Sequence, residues 1–247
     1  MIRYSATKLN TFKMCPYRYY LTYIKKLPTP QLAVFAFGDT VHKSLQDFQN
    51  WAKSNPDTSK YHEKAREIVD QRFSTIPADT MYEVGITKPF VYEYYVEEYV
   101  NYFIEKHIYE KSYETEKPLQ LEFGDIKLTG SIDLFIVPDV IIDFKTSKYV
   151  PSVSKLIDEF QTRIYSLTVP HEVNMMYIYL RKPMKIRSMV IGTPNEAIQQ
   201  EIMQYAQMIQ TAKEWPKKYD MCNLCPFKQQ CRGGKIKDDG ETLPGII

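Results

Sequence analysis

Apolar residues recur along this chain in two rhythms, one of three to four residues and one of two. The helical rhythm opens at Ser5, a good N-cap for a helix to about Met14 with Leu9 and Phe12 on one face. Cys15-Pro16 interrupts it, because a residue before proline is pushed out of the helical region. Pro16 then starts a second helix, with Tyr17, Tyr20, Leu21 and Ile24 as its inner stripe. After a loop at Leu27–Pro30, Phe37-Gly38-Asp39 opens a helix to about Lys53 that turns Val41, Leu45 and Phe48 inward. Asn55-Pro56-Asp57 breaks the chain before two more helical patterns, Lys60–Ser74 and Pro89–Lys111. The first buries Ala65, Ile68, Val69 and Phe73; the second buries Val91, Tyr94, Tyr95, Tyr99, Tyr102 and Phe103.

The period of two takes over near residue 119. Leu119–Phe123 alternates, Gly124-Asp125 turns, Ile126–Val137 runs back, and Pro138-Asp139 turns again into Val140–Lys145. Three strands joined by short turns predict an antiparallel meander. A helix at Ser154–Thr168 follows, then a strand at Asn174–Leu180, returning as a parallel neighbour of the central strands. An edge strand at Lys185–Gly192 comes next, and Thr193-Pro194-Asn195 leads into a long helix to about Glu214. The order predicts an α/β fold with a mixed central sheet flanked by helices.

Within this pattern, three charges stand in apolar surroundings: Asp133, Asp143 and Lys145. Val140, Ile141 and Ile142 suggest a strand buried on both faces, and alternation puts Asp143 and Lys145 on the same one. Charges on such a strand must be paired or bound to a metal. Two carboxylates beside a lysine can cradle a hard divalent cation and a phosphate. Gln161 and Tyr165, four apart, share a helical face just downstream. His42, one residue round from Val41, is most simply a core-flanking histidine when its own stretch is considered alone. Glu122 reads as a solvent-facing strand residue.

Composition narrows the picture little. A net charge of +2 over 247 residues is too weak to argue for nucleic acid by itself. No apolar run approaches a membrane span, and the N-terminus lacks a long apolar signal stretch, so an intracellular, cytoplasmic location is expected. There is no G-x-x-x-x-G-K-[ST] loop, so any unwinding must come from a partner. The four cysteines then read as metal ligands rather than two disulfides. Cys222, Cys225 and Cys231 fit C-x2-C-x5-C with Pro226 after the second, leaving Cys15 as the fourth. Three-plus-one with proline beside cysteine is closer to an iron–sulfur pattern than to paired zinc knuckles, with structural zinc as the alternative. Such a cluster would join residue 15 to residue 222.

Taken together, Gly38-Asp39-Thr40-Val41-His42, Gly130-Ser131-Ile132-Asp133, Ile142-Asp143-Phe144-Lys145-Thr146, Gln161 with Tyr165, and the four cysteines resemble the PD-(D/E)xK nuclease superfamily. They look most like its RecB-type branch with an iron–sulfur staple, which includes the CRISPR-adaptation iron–sulfur exonucleases, the AddB nuclease domain and viral and phage recombination nucleases. The resemblance implies a restriction-endonuclease-like core with a helical insert and a [4Fe–4S] staple on Cys15, Cys222, Cys225 and Cys231. It implies Mg²⁺ or Mn²⁺ held by His42, Asp133, Asp143 and the carbonyl of Phe144, with Lys145 orienting water and Gln161 and Tyr165 as positioning residues. The implied activity is DNA hydrolysis, as an exonuclease on single strands or duplex ends in recombination, repair, replication or CRISPR adaptation. A helicase or an adaptation or recombination protein is the implied partner. The alternative is a non-catalytic nucleic-acid-binding subunit of such a complex. The expected organisation is one nuclease domain over 1–234, followed by a loose tail, 235–247. Within the domain, 1–30 forms the N-terminal helices, 31–115 is helical, 116–214 is the core and 215–234 is the cluster loop.

Overall fold

The computed structural model describes residues 2–28, 33–192, 196–219, 222 and 225–232. The expected tail at 235–247, the Thr193-Pro194-Asn195 lead-in and the end of the Leu27–Pro30 loop lie outside the described residues. The first helical segments are α1 (Ala6–Met14) and α2 (Pro16–Tyr19), with a π-type turn over Tyr20–Ile24. Four more helices follow before the main strands: α3 (Ala33–Ala52), α4 (Tyr61–Ser74), α5 (Ala78–Val84) and α6 (Glu97–Glu105). Ser5 caps α1, its hydroxyl accepting from the Lys8 N–H at 3.3 Å.

The sheet is mixed and six-stranded. Its strands are β1 (Ile2–Tyr4), β2 (Tyr113–Phe123), β3 (Ile126–Ile136), β4 (Val140–Lys145), β5 (Val173–Tyr179) and β6 (Lys185–Ile191). The β2–β3–β4 meander is antiparallel, β5 runs parallel to β4, and β6 closes the sheet as an antiparallel edge strand. β1 pairs in parallel with the start of β3. The crossover from β4 to β5 carries α7 (Val153–Ile157) and α8 (Phe160–Thr168). α9 (Glu196–Thr211) and α10 (Lys228–Arg232) complete the described elements.

β4 is buried on both faces because two cores meet on it. Ile142 and Phe144 join Leu134 and Ile136 against α3, α4 and α6, whereas Ile141 joins Met175 and Tyr177 against α1, α8 and α9. Trp215 stacks on Tyr19 at 5.9 Å and on Tyr20 at 5.4 Å, laying the C-terminal segment on the first helices.

Several local expectations are corrected. Gly38 does not open α3 but lies inside it; a Cβ there would stand 3.1 Å from Thr146 Oγ1, so glycine serves close approach rather than a turn. Ile24 is exposed and Tyr19 buried, because the wider π-type turn shifts the stripe. Pro89–Lys111 is not one helix: a second π-type turn at Tyr92–Val96 precedes α6, His107 at φ 49° ends it, and Tyr94 faces out. Ser154–Thr168 splits into α7 and α8 at the extended Glu159.

Candidate active site

β3 and β4 stay paired only from Ile136↔Val140 to Leu134↔Ile142 and then diverge. Asp133 sits in the resulting fork. Its Oδ2 accepts the Phe144 backbone N–H at 2.7 Å, so a carboxylate takes the place of a strand neighbour. His42 reaches the same oxygen from α3, with Nδ1 3.3 Å away. The glycine one turn earlier explains how: without a side chain at residue 38, α3 lies close against Thr146 at the end of β4. Burial works against a charge on His42, but the hydrogen bond and charge of Asp133 and the charge of Asp143 outweigh it and hold the imidazole pKa above its ordinary value.

The other core supplies the rest. Asp143 is only 2% exposed, and burial pushes its carboxyl up to about 6 despite the opposing charge of Lys145. From α8, Gln161 donates to Asp143 Oδ2 and to the Tyr165 hydroxyl, and accepts from Lys145 Nζ at 2.8 Å. Tyr165 Oη lies 3.0 Å from the Ser131 carbonyl and 3.1 Å from Asp143 Oδ2, so its single proton serves both. Lys145 Nζ stands 2.6 Å from Asp143 Oδ1 as an ion pair, off the hydrogen-bonding direction, and that buried oxygen has no hydrogen-bond partner. Burial alone would lower the Lys145 pKa; the charge of Asp143 more than reverses this, so the ammonium is retained.

Asp133, Asp143, Lys145, Gln161, Tyr165, His42 and Phe144 therefore lie in one neighbourhood, with His42 from one core and Gln161 and Tyr165 from the other. A cleft of ≈ 670 Å³ opens onto it, lined by His42, Asp133, Phe144 and Lys145. The cleft also exposes a residue that sequence reasoning passed over. Ligand atoms of His42, Glu116 and Asp133 lie within 4.8 Å of one another, a spacing that can hold a metal ion. The signal was present in the β2–β3 register. Phe123 pairs with Ile126 across the Gly124-Asp125 turn, and counting back equally along both strands brings Glu116 opposite Asp133. Glu122, by contrast, pairs with Lys127 at 2.9 Å on the surface.

The cysteines form a separate cluster. Cys15, Cys222, Cys225 and Cys231 are free, half-buried thiols that line one cavity with Tyr17, Leu21 and Phe227. Cys15 is placed by the break after α1, where its N–H bonds the Thr11 carbonyl. The Lys218 N–H points at Cys15 Sγ at 3.5 Å.

A crystal structure of SSO0001 aligns with 15% identity and a TM-score of 0.44, covering 94% of this chain and 86% of that one. A candidate exonuclease from Eubacterium rectale aligns with 9% identity and a TM-score of 0.46, covering 98% and 90%. A search of curated proteins finds no match. The family model of the PD-(D/E)XK nuclease superfamily matches residues 3–232. Spanning nearly the whole sequence, that match establishes that the chain belongs to the PD-(D/E)XK nuclease superfamily.

Proposed function

We propose that this protein is a metal-dependent DNA nuclease, acting as an exonuclease on single strands or duplex ends. The observation that carries the reading is the linked group Asp143–Lys145–Gln161 beside Asp133 at the β3–β4 fork, with Asp133 and Lys145 lining an open cleft. The donor set fits a hard divalent cation. It offers the buried carboxylate of Asp143, which is ion-paired to Lys145, a second carboxylate on Asp133, the Phe144 carbonyl and the His42 imidazole, a mixture suited to Mg²⁺ or Mn²⁺. When bound, such a cation polarises a phosphodiester and makes water a competent nucleophile at neutral pH.

The chain's own groups have distinct tasks. Lys145 keeps its proton and places positive charge where negative charge grows on the phosphate. Gln161 fixes the lysine and Asp143 together, since its amide oxygen and nitrogen engage one each. Tyr165 holds the far side of Asp143 against the β3 backbone. We further assign the four thiols to a [4Fe–4S] cluster, and the chain to the RecB-type branch of its superfamily. The cavity that Cys15 shares with Cys222, Cys225 and Cys231 supports this, with zinc as the alternative occupant.

The test is a nuclease assay on DNA labelled at either end, single-stranded and duplex, with Mn²⁺ or Mg²⁺. Wild type should shorten one or both substrates from an end, and Asp143→Ala should abolish cutting while circular dichroism stays unchanged. Equal activity in the variant would refute the site. DNA binding without cleavage by wild type would favour a non-catalytic binding subunit.

A further inference from the structure

Three non-glycine residues among those described have positive φ: Lys26, His107 and Glu116. Lys26 follows a helical turn and His107 ends α6, where a left-handed residue is a common exit. Glu116 is different. It sits inside β2 at φ 47°, between Thr115↔Leu134 and Lys117↔Ile132, which pair normally. A left-handed conformation within a strand is unfavourable for a side-chain-bearing residue and persists only where something holds it.

The side chain supplies a reason. Its carboxylate lies within 4.8 Å of ligand atoms on both His42 and Asp133. It makes no hydrogen bond or ion pair among the described residues, although it lines the cleft. A second feature bears on the same cation: Asp143, 2% exposed and close enough to feel the charges of Asp133 and His42, carries an oxygen that accepts no hydrogen bond and meets Lys145 Nζ at 2.6 Å as an ion pair. Asp39 and Lys43, which also line the cleft, pair with each other, so three carboxylates are left facing one lysine and one imidazole, a surplus of negative charge that a divalent cation offsets.

We propose that Glu116 is a further ligand of the cation at this site, and that its left-handed backbone is retained to aim the carboxylate. The proposal rests on the metal-dependent reading given above. It separates two properties that a merely solvated surface acid would leave unlinked. Glu116→Gln removes the ligand charge and keeps the backbone strain. Glu116→Gly removes both, because glycine has no Cβ to clash at positive φ, a relief set against its greater freedom in the unfolded chain.

Mn²⁺ titration of the purified full chain, followed by electron paramagnetic resonance of the free ion, reads the first property; thermal melting without divalent ions reads the second. Glu116→Gln should bind Mn²⁺ about 10–100-fold more weakly than wild type. Glu116→Gly should show a similar loss, with a cation-free melting temperature about 2–4 °C higher. If wild type binds Mn²⁺, Asp143→Ala does not, and Glu116→Gln matches wild type, Glu116 is no ligand and the proposal fails alone. If wild type binds no Mn²⁺, the metal reading of the whole site falls and takes the proposal with it. A Glu116→Gly protein that melts at or below the wild-type temperature would overturn the strain.

Discussion

Replacing Asp143 by asparagine should stabilise the protein in the absence of divalent cations while destroying its activity. Asp143 is buried at the fork, and its carboxyl is raised from 3.8 to about 6, with desolvation the largest cause. A folded-state pKa above the unfolded one means that the folded protein holds the proton more tightly. The associated stability is fully present below pH 3.8 and is lost as pH rises towards 6. At about 1.36 kcal/mol for each tenfold change in the proton equilibrium, the penalty of carrying the ionised group at pH 7.5 is about 3 kcal/mol. Asparagine resembles the protonated acid and escapes that penalty. For a chain of this length the gain corresponds to roughly 6–12 °C in Tm. The assay is thermal denaturation of wild type and Asp143→Asn between pH 4.5 and 7.5 in chelator, then with Mn²⁺. The variant's advantage should be about 1 kcal/mol at pH 4.5, grow to its full value by pH 7.5, and shrink when Mn²⁺ stabilises wild type alone. His42, also raised, destabilises in the same direction as pH rises, and losing the Asp143 charge lowers the His42 pKa as well, so the difference between the proteins reports Asp143 together with its coupling to His42. A difference that stays flat with pH, or a variant less stable than wild type at pH 7.5, would refute the reasoning.

Gln161→Leu should reduce kcat about 10–100-fold with little change in DNA affinity, because Lys145 keeps its ion pair to Asp143 but loses the amide that aligns it; equal losses in KM and kcat would contradict this. Gly38→Ala gains about 1 kcal/mol of helix propensity but crowds Thr146 Oγ1, so Tm should change little while Mn²⁺ affinity falls. Adding Thr146→Ala should restore that affinity in a double-mutant cycle. Tyr99→Phe should destabilise by about 1–3 kcal/mol in urea titration, since the buried Gln49 Nε2 now donates to the Tyr99 hydroxyl at 2.7 Å. Purified without oxygen, the protein should absorb broadly at about 400 nm and lose this in Cys225→Ser; a colourless protein containing zinc would favour the alternative occupant.

The hairpin at the centre of the site was legible because its rules are local. Proline and aspartate at the turn, an apolar run ahead of Asp143 and a two-residue alternation defined β4 to the residue. β1 was not legible: three residues have no measurable period, and their pairing with 126–128 spans more than a hundred positions. The helical pattern at Pro89–Lys111 misleads because a regular 3.6-residue period does not hold where a π-type turn widens it, which leaves Tyr94 outside. Gly38 looked like punctuation because sequence records the absence of a side chain but not the neighbour that needs the space. Glu116 escaped for another reason. Glu122 stands beside the turn and pairs outward with Lys127, whereas register counted from that turn reaches the fork only at 116.

The Tyr99 ring packs edge-on against Phe144 at 4.8 Å, and Tyr99 belongs to α6, which supplies none of the polar groups of the site. That contact changes what an insertion means here. The segment is the mould against which one side of β4 was cast. Related proteins with a different insert should therefore carry a compensating large apolar group at this spot, whatever the length or helix count of the replacement, and grafting between relatives should fail when that group is lost.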